Sequence, residues 1–513
     1  MADTNGPAVL IPEYKAQYGM APNYIDGTFT PSQSARTMPI TNPATGGEIG
    51  TVALSTHGEV DMAVQAAQNA FPGWRRTPPQ ERTKYLFQMK RVMEDRLEDL
   101  ARVLVQEHGK TLAEARGSVL RGIDHLEVAA GMPSLMMGYN LEDGGSAGVD
   151  EEMIRQPLGV FGCVAPFNFP AMVPFWFWPY AIAAGNTYVL KPSEQTPLSQ
   201  MMIFEMLDET DLPPGVMNMV HGDKEVVDSL LEHPLVRGIS FVGSTKVGSY
   251  VYSQATANRK RAQVQAGAKN HLAVMPDAVL EKATPNWINS FFGCAGERCL
   301  AGSVLVCVGE ETHKQAVESF VALASKVTVG YGLDEQVGMG PVISASARDR
   351  ILGMIEKGQA EGAKLVLDGR NPEIATSGCD NGYFIGPTIF DEVKPEMTIA
   401  QEEIFGPVAS IVKVNSLDEA LELIAKSRFG NSASIYTQDG WTARRFKYEA
   451  DAGNIGVNIG VPAAMAYFPF AGRKDSFFGD LHGQGRDAID FFTDKKVVVN
   501  RWIWNKESEG TWS

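Results

Sequence analysis

The stretch Gly159-Val-Phe-Gly-Cys-Val-Ala-Pro-Phe-Asn-Phe-Pro170 opens the part of the chain in which the architecture can be read. Gly159 to Val164 is a short apolar run that stops at a proline-bearing turn, as a strand buried on both faces does. Beyond it, Phe169 to Gly185 reads as a helix, Thr187 to Leu190 as a strand and Gln200 to Glu209 as a helix. Val216 to Val220 is extended, Gly238 to Val242 is a further strand, and a helix begins at Thr245. Short apolar strands alternating with helices predict an α/β fold with a parallel sheet covered on both faces.

Upstream of this region the spacing is helical. Met62, Val64, Ala67, Ala70 and Phe71 mark a helix over Asp61 to Trp74, and two long helical patterns follow, Pro79 to Glu107 and Thr111 to Met137. Asn140 to Gly148 is rich in turn residues, and a strand ending near Arg155 follows it. Downstream, the alternation resumes with Ser303 to Val308, His313 to Val327 and Ala345 to Glu361. No internal repeat is evident, and disorder is expected only in the first and last few residues.

The chain has 513 residues, which suggests two to four structural units. Its 44% hydrophobic and 21% charged residues are ordinary for a globular protein. A net charge of −16 argues against a nucleic-acid partner, although a local arginine can still govern a pocket for an anionic substrate. The five cysteines (163, 294, 299, 307 and 379) lack the spacing of a disulfide framework or a zinc site, so no metal is expected. The N-terminus has neither a basic start with an apolar core nor an arginine-rich composition. The most apolar run, Ala171 to Ala184, is too short to span a bilayer and contains two prolines. A cytoplasmic protein without a membrane segment is expected.

Chemistry concentrates in Phe291-Phe-Gly-Cys-Ala-Gly-Glu-Arg-Cys299-Leu-Ala-Gly-Ser303. Cys299 sits in a glycine-flanked turn after Arg298 and before an apolar strand. A neighbouring cation and free backbone N–H groups stabilise a thiolate. The alternative is that Cys299 is a small buried apolar residue. Cys294 is close by but has no adjacent base or cation.

The Gly296-x-x-Cys299 segment resembles the nucleophile motif of the aldehyde dehydrogenase superfamily, and further segments resemble it in the same order. Pro166-Phe-Asn-Phe-Pro170 is similar to its oxyanion segment, and Leu190-Lys-Pro-Ser-Glu194 to its adenosine-ribose segment. Phe241-Val-Gly-Ser-Thr-Lys-Val-Gly248 is similar to its dinucleotide turn, and Glu402-Glu-Ile-Phe-Gly-Pro407 to its nicotinamide-ribose segment. With Asn42-Pro-Ala-Thr-Gly46, the resemblance runs from about residue 40 to about residue 480. It implies Cys299 as nucleophile, with Asn168 and the Cys299 N–H as an oxyanion hole. It further implies NAD as cofactor, held by Ala165, Phe167, Lys191, Glu194, Gly243, Ser244, Ala266, Glu403 and Phe405. Glu194 would repel a 2′-phosphate, favouring NAD over NADP. Gly243 and Ser244 open a helix whose N-terminus suits a pyrophosphate, although the spacing is not Gly-x-Gly-x-x-Gly. The other reading of Asn168 is a turn residue, and that of the Lys191–Glu194 pair a solvated loop.

One residue departs from the superfamily's hydrolytic pattern. Where its Glu-Leu-Gly-Gly-Lys segment carries a water-activating glutamate, this chain has Gln265 in Val264-Gln-Ala-Gly-Ala-Lys-Asn270. A carboxamide takes no proton at neutral pH. General-base help is commonly worth about 10²- to 10⁴-fold, so hydrolysis of an acyl-enzyme should be slow and a thiol such as coenzyme A should collect the acyl group. This loss, with Gly267-Ala-Lys-Asn-His271, Gly296-Glu-Arg-Cys299 and Ser476-Phe-Phe-Gly-Asp-Leu-His482, resembles the CoA-acylating methylmalonate-semialdehyde dehydrogenases. That branch implies a semialdehyde with a carboxylate, bound by Arg298 and by Arg121 of Leu120-Arg-Gly-Ile-Asp124, with decarboxylation and transfer of acetyl or propionyl to CoA. The alternatives are an Arg298 paired with Glu297 or Asp124, and an exposed Arg121. At the level of function they are a hydrolytic aldehyde dehydrogenase using Glu297 or Glu403, or a silent NAD-binding member.

The resemblance implies a Rossmann-like cofactor domain (1–139 and 158–266), an α/β catalytic domain (267–478) and a small β oligomerisation arm (140–157 and 479–513). The hairpin near Asn140 to Gln156 and the strand Lys495 to Trp502 would build the arm. A homodimer or homotetramer is implied in the same way.

Overall fold

Strands Val160–Val164, Thr187–Lys191, Met217–Met219, Val236–Val242 and Arg261–Gln265 form the parallel centre of an eight-stranded sheet. Their order across the sheet is 261–265, 236–242, 160–164, 187–191, 217–219. The chain therefore leaves Val160–Val164 in one direction and later returns to its other side, which makes a topological switch between Val160–Val164 and Val236–Val242. Open α/β sheets bind ligands outside the carboxyl ends of the strands at such a point. The computed structural model describes residues 10–503. The terminal residues for which the sequence suggests disorder, and the end of the proposed arm (504–513), lie outside the described residues.

Alternation along the strands explains the two covered faces. Val160, Val164, Val189 and Ile239 pack with Val60, Val64 and Ala67 of helix His57–Trp74 and with Val226 and Leu230 of helix Lys224–Glu232. Phe161, Cys163, Tyr188 and Leu190 face the other way and share a core with Trp178 and Tyr180. Phe491 and Phe492, at the end of helix Gly485–Phe492, close on Phe161 at ring separations of 5.6 and 4.9 Å.

A second, seven-stranded sheet takes up the chain immediately after the first. Asn270–Val274, Gly302–Val308, Thr388–Asp391, Val408–Val414, Ser432–Tyr436 and Asn454–Val457 are parallel, and Lys364–Leu367 is an antiparallel edge. Only residues 266–269 separate the end of Arg261–Gln265 from the start of Asn270–Val274. The carboxyl ends of the first sheet thus meet the amino ends of the second, and a crevice lies between them. Thr493–Arg501 pairs antiparallel with Val149–Pro157 over nine residues, and Tyr139–Leu141 adds a third strand to this arm.

Three helical expectations differ in detail, the first being Thr111 to Met137, which is two pieces, Leu112–Ala130 and Met132–Leu135. The pattern over Pro79 to Glu107 is two helices, Pro79–Asp95 and Leu97–His108, broken at Arg96 (φ −108°, ψ 17°). Phe169 to Gly185 is a 3₁₀ turn, Val173–Trp176, followed by a short α-helix, Trp178–Ala183. Pro174 and Pro179 lie in the first turns of these two pieces, where the missing N–H costs least, so the prolines divide the segment. No helix among the described residues is long and apolar enough to cross a membrane.

Candidate active site

Helix Leu280–Phe292 ends in a sharp reversal. Cys294 (φ 49°), Ala295 (φ 50°) and Gly296 (φ 75°) are successively left-handed. A Cβ on Gly296 would lie 2.2 Å from the Gly406 carbonyl oxygen, so only glycine allows this loop to close on the Glu402–Pro407 segment. Glu114 Oε1 accepts the Cys294 N–H at 2.7 Å. The Cys299 carbonyl accepts from Asn270 Nδ2 at 2.9 Å and Asn431 Nδ2 at 2.7 Å, and no backbone oxygen among the described residues accepts the Cys299 N–H. Two segments distant in sequence therefore hold the Cys299 carbonyl and a third holds Cys294, while the Cys299 N–H stays available.

Cys299 is half-buried and lines two cavities. The larger, about 500 Å³, lies at the switch point of the first sheet and is walled by Val164, Ala165, Val242 and Gly243. Every residue expected to hold the cofactor lines it: Ala165, Phe167, Lys191, Glu194, Gly243, Ser244, Ala266, Glu403 and Phe405. Lys191 Nζ donates to Glu194 Oε2 at 2.6 Å. Ser244 caps helix Thr245–Ala257. Glu403 Oε1 accepts the Ala268 N–H at 2.8 Å. Burial raises the Glu403 carboxyl to about 7, against the pull of the Ala268 N–H and Lys269. Phe405 adopts φ 52° and packs edge-on against Phe167. A lysine–glutamate pair, a helix N-terminus and a carboxylate lining the same cavity as the cysteine are donors and acceptors of the kind a dinucleotide requires.

The smaller cavity, about 350 Å³, lies on the other side of Cys299, between Phe169, Met172, Trp176, Val461 and Phe470. Arg121, His125 and Arg298 also line it. Arg121 and His125 are one turn apart on helix Leu112–Ala130 and so share a face. Arg121 Nη2 donates to the Ala464 carbonyl at 2.8 Å and has no carboxylate in an ion pair among the described residues. Arg298 is paired, with neither Glu297 nor Asp124 but with Glu114, at 2.8 Å; its Nη1 donates to Asn289 and its Nε has no partner among the described residues. Burial holds His125 down to about 3, so it is neutral.

Asn168 is buried, and its Nδ2 donates one hydrogen to the Glu297 carbonyl at 2.9 Å, leaving the other without an acceptor among the described residues. Burial pushes the Cys299 thiol up to about 12 and Glu403 adds to this, while the N–H groups of Cys299 and Leu300 and the Arg298 charge oppose it without prevailing. The thiolate expected beside Arg298 is thus a thiol at neutral pH in the free protein. Gln265 is absent from the linings of both cavities. Its Nε2 donates to the Phe241 carbonyl at 3.1 Å and its Oε1 accepts the Gly483 N–H at 2.8 Å. Glu297 also turns away: it is fully buried, and its Oε1 accepts the Ile343 N–H at 3.3 Å. Sequence reading did not single out Glu114, His125, Asn431 or Lys110. Only Glu114 carried a signal, the capping box Thr111-Leu-Ala-Glu114.

The sequence profile of the Aldehyde dehydrogenase family matches residues 29–498. This chain belongs to the aldehyde dehydrogenase family. It is 52% identical over 480 residues to malonate-semialdehyde dehydrogenase 2 of Geobacillus kaustophilus, covering 94% of this chain and 98% of that protein. It is 51% identical to malonate-semialdehyde dehydrogenase 1 of Geobacillus thermodenitrificans, with the same coverage. Among solved structures, the NAD complex of a Sinorhizobium meliloti protein assigned as a methylmalonate-semialdehyde dehydrogenase superposes with a TM-score of 0.94 at 42% identity, over 96% of this chain and 99% of that one. The methylmalonate-semialdehyde dehydrogenase of Oceanimonas doudoroffii gives 0.93 at 42%, over 95% and 99%. The two-sheet architecture with its arm is thus the aldehyde dehydrogenase fold.

Proposed function

We propose that this protein oxidises malonate or methylmalonate semialdehyde with NAD and passes the decarboxylated acyl group to coenzyme A through a thioester on Cys299. The observation that carries the proposal is the position of Cys299 between the larger cavity, at the switch point of the first sheet, and one containing Arg121, with Gln265 and Glu297 both turned away from it. The semialdehyde follows from the relatives' names and from the unpaired Arg121 guanidinium, which suits a carboxylate.

Cys299 sulfur attacks the aldehyde carbon, and its proton leaves toward Glu403, whose raised carboxyl exchanges protons near neutral pH. The free hydrogen of Asn168 Nδ2 and the Cys299 N–H hold the oxyanion of the thiohemiacetal. NAD, when bound beside Glu403 and Phe405, accepts the hydride. The product is a thioester on Cys299 whose acyl chain carries the substrate carboxylate. Arg121 orients that carboxylate until the carbon–carbon bond breaks, CO2 leaves, and the electron pair delocalises into the thioester before protonation. The CoA thiol, having given its proton to solvent, then attacks the thioester carbonyl as the thiolate, and Cys299 leaves as a thiolate that takes back the proton held on Glu403.

The experiment is turnover of semialdehyde and NAD with and without CoA. Steady turnover undiminished without CoA would reject acyl transfer to CoA. It would favour hydrolysis with Glu403 as base, a second reading supported by that carboxyl lining the cavity of Cys299. The exposed Val497 and Val499 of the arm are consistent with a homodimer or homotetramer, which light scattering would test.

A further inference from the structure

We infer that Lys110 is a positioning residue for the oxyanion hole, its ammonium clamping the peptide of Asn168. This inference rests on the reading of Asn168 as an oxyanion donor. Lys110 is 1% exposed, its Nζ donates to the Asn168 carbonyl at 2.7 Å, and it lies 4.1 Å from the centroid of the Phe169 ring. Among the described residues it forms no ion pair, so a buried charge is spent on one carbonyl and one aromatic face. A buried ammonium is costly, and a lysine free to reach solvent would avoid that cost.

The backbone of Lys110 is itself held. A Cβ on Gly332 would lie 2.2 Å from the Lys110 carbonyl oxygen, and one on Gly340 would lie 1.8 Å from that of Gly109. Glycines therefore let two strands of chain press directly on this turn. Asn168 is consequently gripped at both ends, by Lys110 at its carbonyl and by the Glu297 carbonyl at its side-chain amide. Glu297 is two residues before the nucleophile, so the two contacts fix where the remaining Nδ2 hydrogen points relative to Cys299. A donor that drifts by about 1 Å can lose as much as about 10²-fold in rate.

The test compares Lys110→Met and Lys110→Arg with the unaltered enzyme in single-turnover NADH formation and in alkylation of Cys299 by iodoacetamide. Alkylation is a displacement at carbon that builds no oxyanion, so it reports the thiol and the fold alone. Lys110→Met should slow NADH formation by about 10- to 100-fold and leave alkylation and the KM for NAD within about threefold. Parallel loss of both rates overturns the inference. If Lys110→Met does not fold, Lys110→Arg is read by the same comparison, since it keeps the charge but moves the donors off the Asn168 carbonyl.

A second background separates this inference from the one beneath it. In Asn168→Ala, Lys110→Met (or Lys110→Arg) should cost nothing further, because there is no donor left to position. Multiplying losses in the double variant overturn the role of Lys110 while leaving Asn168 as donor. Asn168→Ala that forms NADH at the original rate overturns both.

Discussion

Arg298 and Glu114 form a largely buried ion pair, Nη2 to Oε1 2.8 Å, on the wall of the cavity that Cys299 faces. The same oxygen of Glu114 accepts the Cys294 N–H, so the pair ties the nucleophile loop to helix Leu112–Ala130. Arg121, on that helix, meets only a backbone carbonyl among the described residues. The two arginines therefore differ in what they can offer a substrate. Arg121→Leu should raise the KM for malonate semialdehyde by about 10- to 100-fold, the worth of a charged hydrogen bond, and leave propionaldehyde nearly unaffected. Arg298→Leu strands a buried carboxylate and should impair both aldehydes and stability, by about 3–5 kcal/mol. Equal sensitivity of the two aldehydes to Arg121→Leu would contradict the assignment.

Gln265→Glu should not create a hydrolase. The Gln265 amide donates to one backbone carbonyl and accepts from one backbone N–H, and a carboxylate would face the Phe241 carbonyl without a proton to give. The expected result is little CoA-independent turnover and a loss of about 1–3 kcal/mol, smaller at acidic pH where the carboxyl can be protonated. Rapid hydrolysis by the variant would show that residue 265 reaches the acyl group.

The Glu297 carboxyl is raised to about 8 by burial, against the Ile343 N–H and the Arg350 charge. Its ordinary value is 4.5, so between these values the folded protein holds a proton that the unfolded chain releases. The stability it contributes is full below about pH 4.5 and is lost as the pH rises to about 8. Glu107 and Glu403, both raised to about 7 by burial, act in the same direction. Glu297→Gln should therefore flatten, without abolishing, the fall of Tm between about pH 5 and 8, and leave CoA-dependent turnover within about threefold. An unchanged Tm profile would overturn the assignment.

Lys191 and Glu194 are joined at 2.6 Å on the wall of the larger cavity. Glu194→Gln removes a charge that opposes a 2′-phosphate and frees the ammonium of Lys191 to meet it. The KM for NADP should fall by about tenfold relative to that for NAD. Steady-state kinetics with both cofactors measure this, and an unchanged ratio would place the adenosine ribose elsewhere.

Local pattern determined a great deal. The alternation of apolar strands and helices specified the parallel sheet, because burial on both faces leaves a continuous apolar run in each strand. Cys299, Asn168 and the residues of the larger cavity stood in short segments that were legible through their resemblance to a known family, in the same order along the chain. The left-handed turn that presents Cys299 was foreshadowed by Gly296, which alone fits against Gly406.

What the tertiary structure decided is the partner of each charge. Nothing in the order of residues said that Arg298 meets Glu114, 184 positions away, or that Lys110 reaches the Asn168 carbonyl. Nor did it say that Gln265 spends its amide on Phe241 and Gly483. Cys299 shows the same division: the neighbouring arginine suggested a thiolate, but burial outweighs that charge and leaves a thiol. Spacing along a chain encodes which face a side chain takes, while electrostatic pairing and desolvation depend on distances through space, which exist only once the two sheets have closed on each other.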